Sequence, residues 1–249
     1  MAAAYAAPPR PARRATSVTV CSPLAMAYAL PDPETADAHG LVFVGGDLDP
    51  ETVIAAYRRG LFPWRGGAAI PWYSPDPRGV VGAGRVRASQ KTRQHARGRG
   101  WTVAFDRDFA GAMRRCATTP RAHEADTWIT PDVMASYVEL HRRGVGHAVE
   151  VYDGDAPIGG LYGLTFGRFF HGESMYFRTS GASKLALWAL SECLAARGFE
   201  LIDCQVPTHH LASLGAEAWP RRRYLARLAA NAAAPSLHTS WADWAAPAP

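Results

Sequence analysis

Glu173, Asp203 and Gln205 are the residues of this chain whose types and places could do chemistry. Each stands in, or directly after, a mostly apolar run, where a carboxylate is costly unless it is paired or hydrogen-bonded. Two such carboxylates converging on one sheet edge, with an amide beside them, look like a site. The structural alternative is that each acid is answered by an arginine or a backbone amide. The company of so many aromatic residues favours a site.

The elements that must position these groups lie between Gly159 and Gln205. The apolar runs Ile158–Phe170 and Leu201–Cys204 read as buried strands. Ser183–Arg197 reads as a helix, with Ser183 as N-cap, an apolar face from Leu185 to Leu194, and Gly198 as the stop. The order is strand, strand, helix, strand. Upstream, Leu41–Val44 reads as a strand, and Asp49 caps a helix with Pro50 at its first position. Trp101–Phe105 is an expected strand and Phe109–Cys116 a short helix. Another helix starts at Thr130-Pro131, a strand spans Val149–Tyr152 and turns at Asp153-Gly154, and the last helix is Arg221–Ala233. The proline-locked aromatic loops around Phe62-Pro63-Trp64 and Pro71–Arg78 must pack on something, either between domains or as a pocket wall.

The 249 residues fit one large domain or two small ones. The boundaries read as a disordered tail over 1–20, an N-terminal domain over 21–85, a larger domain over 86–235 and a peripheral Pro/Ala tail over 236–249. The acid-free start carries arginines, as transit peptides do, but Pro8, Pro9 and Pro11 break any amphipathic helix there. No apolar run is long enough to span a membrane. The four cysteines (Cys21, Cys116, Cys193, Cys204) have no framework spacing, so reduced thiols in a cytoplasmic protein are expected. The net charge of +5 leans mildly toward an anionic partner. Residues 84–100 add a basic run with no acid in it, which includes Lys91, Arg93, Arg97 and Arg99. It is either a solvated helix face or a phosphate contact.

Metal binding is set aside. His209, His210, Cys204 and His171 supply ligand types without a spacing that puts them on one face. Cys204, among apolar strand residues, reads as core rather than as a nucleophile. Arg178-Thr-Ser-Gly181-Ala-Ser183 opens a helix with free amides. It narrowly misses the pyrophosphate loop of acetyl-CoA-dependent N-acetyltransferases, because Ser183 stands where Gly or Ala is needed.

A set of long blocks then gains weight together. They are Gly45-Gly46-Asp47-Leu48, Tyr57–Trp64, Trp72–Arg78, Thr127-Trp128-Ile129-Thr130, Gly159–Gly163, Gly172-Glu173-Ser174-Met175, Ser183-Lys184 and Leu201-Ile202-Asp203-Cys204-Gln205. In this order the chain, from about 40 to 228, resembles the leucyl/phenylalanyl-tRNA–protein transferases of bacteria. It departs from them in both tails and at Tyr73, where a second tryptophan is common. The resemblance implies an α/β (α+β) fold: a small N-terminal domain on an N-acyltransferase (GNAT)-like domain with a mixed central sheet. It also implies transfer of Leu, Phe and less often Met from aminoacyl-tRNA to proteins with N-terminal Arg or Lys, marking them for degradation. By the same likeness Asp203 relays the amine's proton, Gln205 hydrogen-bonds amine or ester, and Glu173 orients the aminoacyl group or pairs with the basic acceptor residue. Leu161, Phe170, Leu190, Leu194 and Ile202 match the aminoacyl pocket, position 190 being often aromatic elsewhere. Trp64 and Trp128 match the stack on the 3′ adenosine, and the cations of 91–99 lie in the region that meets the acceptor stem. No metal or organic cofactor and a monomer are expected. Two other readings stay open: a CoA-dependent N-acyltransferase, and a non-catalytic adaptor for tRNA or basic N-termini.

Overall fold

The computed structural model of the chain describes residues 20–21, 30–120, 127–234, 236 and 239–249. The expected disordered tail, up to residue 19, lies outside them.

Short strands β1 (Val20–Cys21), β2 (Leu41–Gly45), β3 (Phe62–Pro63) and β4 (Pro71–Tyr73) form a small sheet in the order β1-β2-β4-β3. Between β2 and β3 runs α1 (Pro50–Arg58). Asp49 caps it through the Glu51 N–H, proline takes the first turn, and Val53, Ala56 and Tyr57 face inward. Of the stripe the sequence pattern predicts, Val53, Ile54 and Tyr57, Ile54 is only half-buried. Trp72 is fully buried, stacked on Phe43 at 5.7 Å, and its ring N–H donates to the Gly45 carbonyl. One of the two aromatic loops is thus packing material.

A large mixed sheet contains β5 (Arg78–Gly82), β6 (Thr102–Phe105), β7 (Gly146–Asp153), β8 (Ala156–Phe166), β9 (Phe169–Phe177), β10 (Leu201–Gln205) and β11 (Glu217–Trp219). Their order is β11-β5-β10-β9-β8-β7-β6. Only the β9–β10 pair in this sheet is parallel, and the helix between these two strands carries the chain back. The mixed α/β fold is as expected. The apolar run Ile158–Phe170 holds the end of one strand and the start of the next, reversing at Gly167 with φ +59°. The chain leaves the small sheet at Tyr73 and enters the large one at Arg78, ahead of the boundary expected at residue 85.

Helices cover both faces. Between β5 and β6 lies α2 (Gln90–Gly98), and between β6 and β7 lie α3 (Phe109–Thr118) and α4 (Pro131–Arg142). With α1 and the small sheet, α3 and α4 build one apolar cluster against the face of Tyr162, Leu164 and Tyr176. The opposite face is covered by α5 (Ala182–Ala196), buried along most of its length. The chain continues through α6 (His209–Ser213) and α7 (Arg221–Asn231).

Two expectations are corrected. Ser183 does not cap α5. Gly181 does, at φ +90°, a backbone that glycine adopts cheaply, and Ser183 is buried in the first turn. The start of α4 at Thr130-Pro131 is as expected, with Thr130 at the N-cap, although its hydroxyl donates to the Asp132 carboxylate and makes no cap hydrogen bond. The described part of the 236–249 tail is not peripheral. Trp241 is fully buried, stacked flat on His147 at 3.7 Å and on Trp244 at 4.0 Å, and its backbone N–H donates to Asp106. A large aromatic ring outweighs the weak structural preferences of the Pro/Ala residues around it.

Candidate active site

The parallel ladder between β9 and β10 ends at Asp203 opposite His171. Beyond that point a cavity of about 820 Å³, its open mouth included, lies between residues of the two strands. Two neighbouring irregularities shape it. Gly163 pairs with Gly172 but Tyr162 with Ser174, so Glu173 is the extra residue on β9. Asp203 pairs with Val80 but Gln205 with Gly79, so Cys204 is the extra residue on β10. Such bulges re-aim side chains. Here they let Glu173 line the cavity, while Gln205, at φ +61°, turns its amide to Glu173 at 3.1 Å.

Glu173 is nearly fully buried, and its partners come from distant elements. Tyr57 of α1 donates to its Oε1 at 2.8 Å, and Tyr137 of α4 reaches its Oε2 at 3.4 Å. The two phenols also touch each other at 2.8 Å. Burial, joined by the nearby Asp203 charge, pushes the carboxyl up to about 8 against the pull of these hydrogen bonds and of Arg78. Burial above all also lifts both phenols well above the ordinary tyrosine range, so they stay protonated.

Asp203 has the opposite character. It is fully buried, and Arg78 grips it with two bonds, Nε at 2.8 Å and Nη2 at 2.6 Å. It also accepts from His171 Nδ1 at 2.9 Å, from Tyr224 at 2.9 Å and from the Gln205 backbone N–H at 2.9 Å. Burial alone would raise its pKa, but the Arg78 charge and these hydrogen bonds outweigh that and hold the carboxyl well below the usual range. It is not among the cavity-lining residues. The structural reading weighed for a buried acid describes Asp203 well. It is a fixed anion whose lone pairs are already in use, poorly suited to receive a proton.

The interior of the cavity is apolar: Leu161, Phe170 and Ile202 line it with Met175, Leu187 and Leu211. Leu190 and Leu194 are fully buried in the same cluster but do not line the cavity, and α5 presents Leu187 there. Cys204 lines it with a thiol that burial and the Asp203 charge push far up, so it is no nucleophile at neutral pH. Trp64 and Trp128 both line the cavity. They are held near each other through Asp132, which accepts from Gly67 N–H at 2.6 Å on the Trp64 loop and from Thr130, two residues past Trp128.

The basic run forms α2, which packs on α5. Lys91, Arg97 and Arg99 are exposed and Arg93 is half-buried, its guanidinium 5.3 Å from the centroid of Trp188. Arg99 pairs with Asp153 at 3.5 Å, and Arg97 donates to the Pro249 carbonyl. Among the described residues, His209, His210, Cys204 and His171 belong to no group able to hold a metal ion.

Several site residues escaped the sequence reading. Tyr57 and Tyr137 were legible as inward-facing helix positions, but nothing local showed that their hydroxyls converge on Glu173. Arg78 was visible only as the end of an aromatic loop, and Thr208 and His210, which also line the cavity, only as a loop after a strand. A backbone turn with two polar residues directly after the site strand was the available signal.

Comparison with known proteins decides the kinship. The family model for leucyl/phenylalanyl-tRNA protein transferase matches residues 80–229, and the model of that family's N-terminal domain matches residues 46–76. The chain belongs to this family. It is 46% identical to the leucyl/phenylalanyl-tRNA–protein transferase of Pseudomonas syringae pv. syringae (strain B728a), over 84% of this chain and 90% of that one. The corresponding Myxococcus xanthus (strain DK1622) protein is 43% identical over 88% of this chain and 94% of its own. That of Azotobacter vinelandii (strain DJ / ATCC BAA-1303) is 46% identical over 84% and 90%. Among the described residues no helix is long and apolar enough to cross a membrane.

Proposed function

We infer that the chain is an aminoacyltransferase that moves a leucyl or phenylalanyl group from tRNA to the α-amine of a protein, forming a peptide bond. The observation that carries this reading is the cavity itself, apolar inside, flanked by two tryptophans and closed by Glu173 with Gln205 behind it. An aminoacylated 3′ end needs those parts: an apolar hole for the side chain, aromatic faces for the adenine and polar groups at the ester. Stacking a base on Trp64 or Trp128 contributes about 1–3 kcal/mol. A hydrophobic hole separates side chains by only about 1–3 kcal/mol per methylene, so a shared Leu/Phe/Met range follows.

The ester is already activated, so positioning supplies much of the rate. Glu173 and Gln205 hold the amine and ester. Asp203 acts one step back: by accepting the Gln205 N–H it pins the turn that aims the Gln205 amide. Phosphates of the acceptor stem meet α2. The acceptors are proteins with N-terminal Arg or Lys, which the transfer marks for degradation, and the enzyme works as a cytoplasmic monomer.

The test is a transfer assay with radiolabelled Leu-tRNA and two peptides, one beginning with Arg and one with Ala. Label on the Arg peptide alone supports the reaction and the acceptor rule. Acetylation from acetyl-CoA with no transfer from Leu-tRNA would overturn both.

A further inference from the structure

Peptide-bond formation by this route needs a base that the residues described so far do not supply. When the acceptor amine attacks the ester carbonyl, its nitrogen becomes cationic and must lose a proton. When the C–O bond to the ribose breaks, the departing oxygen must gain one. Asp203 is held ionised on Arg78 and does not line the cavity. Glu173 lines it, but Tyr57, Tyr137 and Gln205 surround its oxygens. The Cys204 thiol also lines the cavity, but burial and the Asp203 charge push it far up, so it stays protonated.

One lining residue is different. His210, on α6 directly after the site strand, is half-buried and lines the cavity, and its imidazole has no hydrogen-bond partner among the described residues. We propose that His210 is the general base and acid of the transfer: its imidazole takes the proton from the attacking nitrogen and returns it to the ribose oxygen as the ester bond breaks. One N–H bond is lost and one O–H bond gained, so protons balance without a co-reactant. The inference rests on the aminoacyl transfer proposed above.

The surroundings suit the role. The charged or titratable groups that face His210 or share its cavity are Lys184 on α5, Glu173 on β9, Cys204 on β10 and Tyr162 on β8, with His209 adjoining on α6. Burial first, and the Lys184 charge second, lower the imidazole's pKa from the ordinary value, which keeps it neutral and ready to accept at physiological pH. Its place is set by the turn: Thr208 accepts the Leu211 N–H at 3.1 Å, fixing the first residues of α6 relative to β10.

The experiment is single-turnover transfer by wild type, His210→Gln and His210→Ala with saturating Arg peptide across pH, alongside donor affinity. Both variants are expected to lose about 100-fold in rate, the lower end for a lost proton-transfer group, with donor Kd unchanged within about threefold. The ratio of wild-type to variant rate cancels the acceptor amine's own titration. It should rise with pH through the histidine's acidic limb and then level off, and added imidazole should restore rate to His210→Ala. Full rate in His210→Gln, a rate loss matched by lost donor affinity, or a pH-independent ratio would overturn the assignment. Absence of transfer by wild type would instead overturn the reading on which it rests.

Discussion

At the level of single residues, the site's two acids differ because of what surrounds them. Asp203 and Glu173 sit on adjacent strands, yet one is fixed as an anion and the other is pushed toward neutrality. Arg78→Gln leaves the buried Asp203 without its guanidinium partner, with only the bonds from His171, Tyr224 and the Gln205 N–H, and should destabilise the fold by about 3–5 kcal/mol in urea denaturation. The double variant Arg78→Gln with Asp203→Asn should recover part of that loss. The pH dependences have opposite signs. For Asp203, whose folded pKa is depressed, the stabilisation is present above the unfolded value and is lost as pH falls through the acid range. For Glu173 the folded pKa, about 8, lies above the unfolded one. The native state therefore holds an extra proton between the two values, and stability declines as pH rises through that window. Glu173→Gln should flatten the decline, read as unfolding free energy at pH about 5 and about 8.5. An equal slope in variant and wild type would mean that Glu173 titrates normally.

At the level of elements, glycines explain why strands and helix come close enough to make a cavity. A Cβ at Gly163 would stand 2.1 Å from the His171 carbonyl oxygen and 2.5 Å from the Phe170 ring, so any side chain there would force β8 away from β9. A Cβ at Gly159 would meet the Ala182 Cβ at 2.5 Å, which is how the start of α5 lies down on β8. Gly163→Ala should cost about 1–3 kcal/mol as overpacking and should lower transfer too, since Glu173 sits on the bulge next to this pairing. Unchanged stability with unchanged transfer would show that the strands can give way. These glycines were visible in the sequence as Gly159-Gly160-Leu161-Tyr162-Gly163, but only as a motif. The atoms they avoid belong to other elements.

At the level of the whole chain, the C-terminal segment and the basic helix join parts that are far apart in sequence. Trp241 closes the apolar cluster over Phe105, Phe170 and Phe199. Trp241→Ala should cost about 3–5 kcal/mol in denaturation, whereas a segment merely resting on the surface would show almost no effect. Donor tRNA binding should weaken steeply with salt, and each α2 cation that meets a phosphate should lower the slope by about 0.7–0.9 when neutralised. Lys91, exposed and without a partner among the described residues, is the first to test. An unchanged slope in Lys91→Gln would remove that residue from the interface.

What could be read along the chain was local: Asp49-Pro50 starting α1, the apolar face of α5, the short buried strand Leu201–Cys204, and the presence of acids where acids are costly. Those features follow from backbone caps, periodicity and desolvation, all of which act between near neighbours. Which acid is ionised could not be read, because Arg78 lies 125 residues from Asp203 and Tyr57 lies 116 from Glu173. A carboxyl's charge is set by burial and by the groups that reach it, and these meet only when α1, α4, β5, β9 and β10 pack together. The same holds for Trp241: a tryptophan in a Pro/Ala stretch has no local pattern to declare it core, and packing against His147 and Phe170 puts it there.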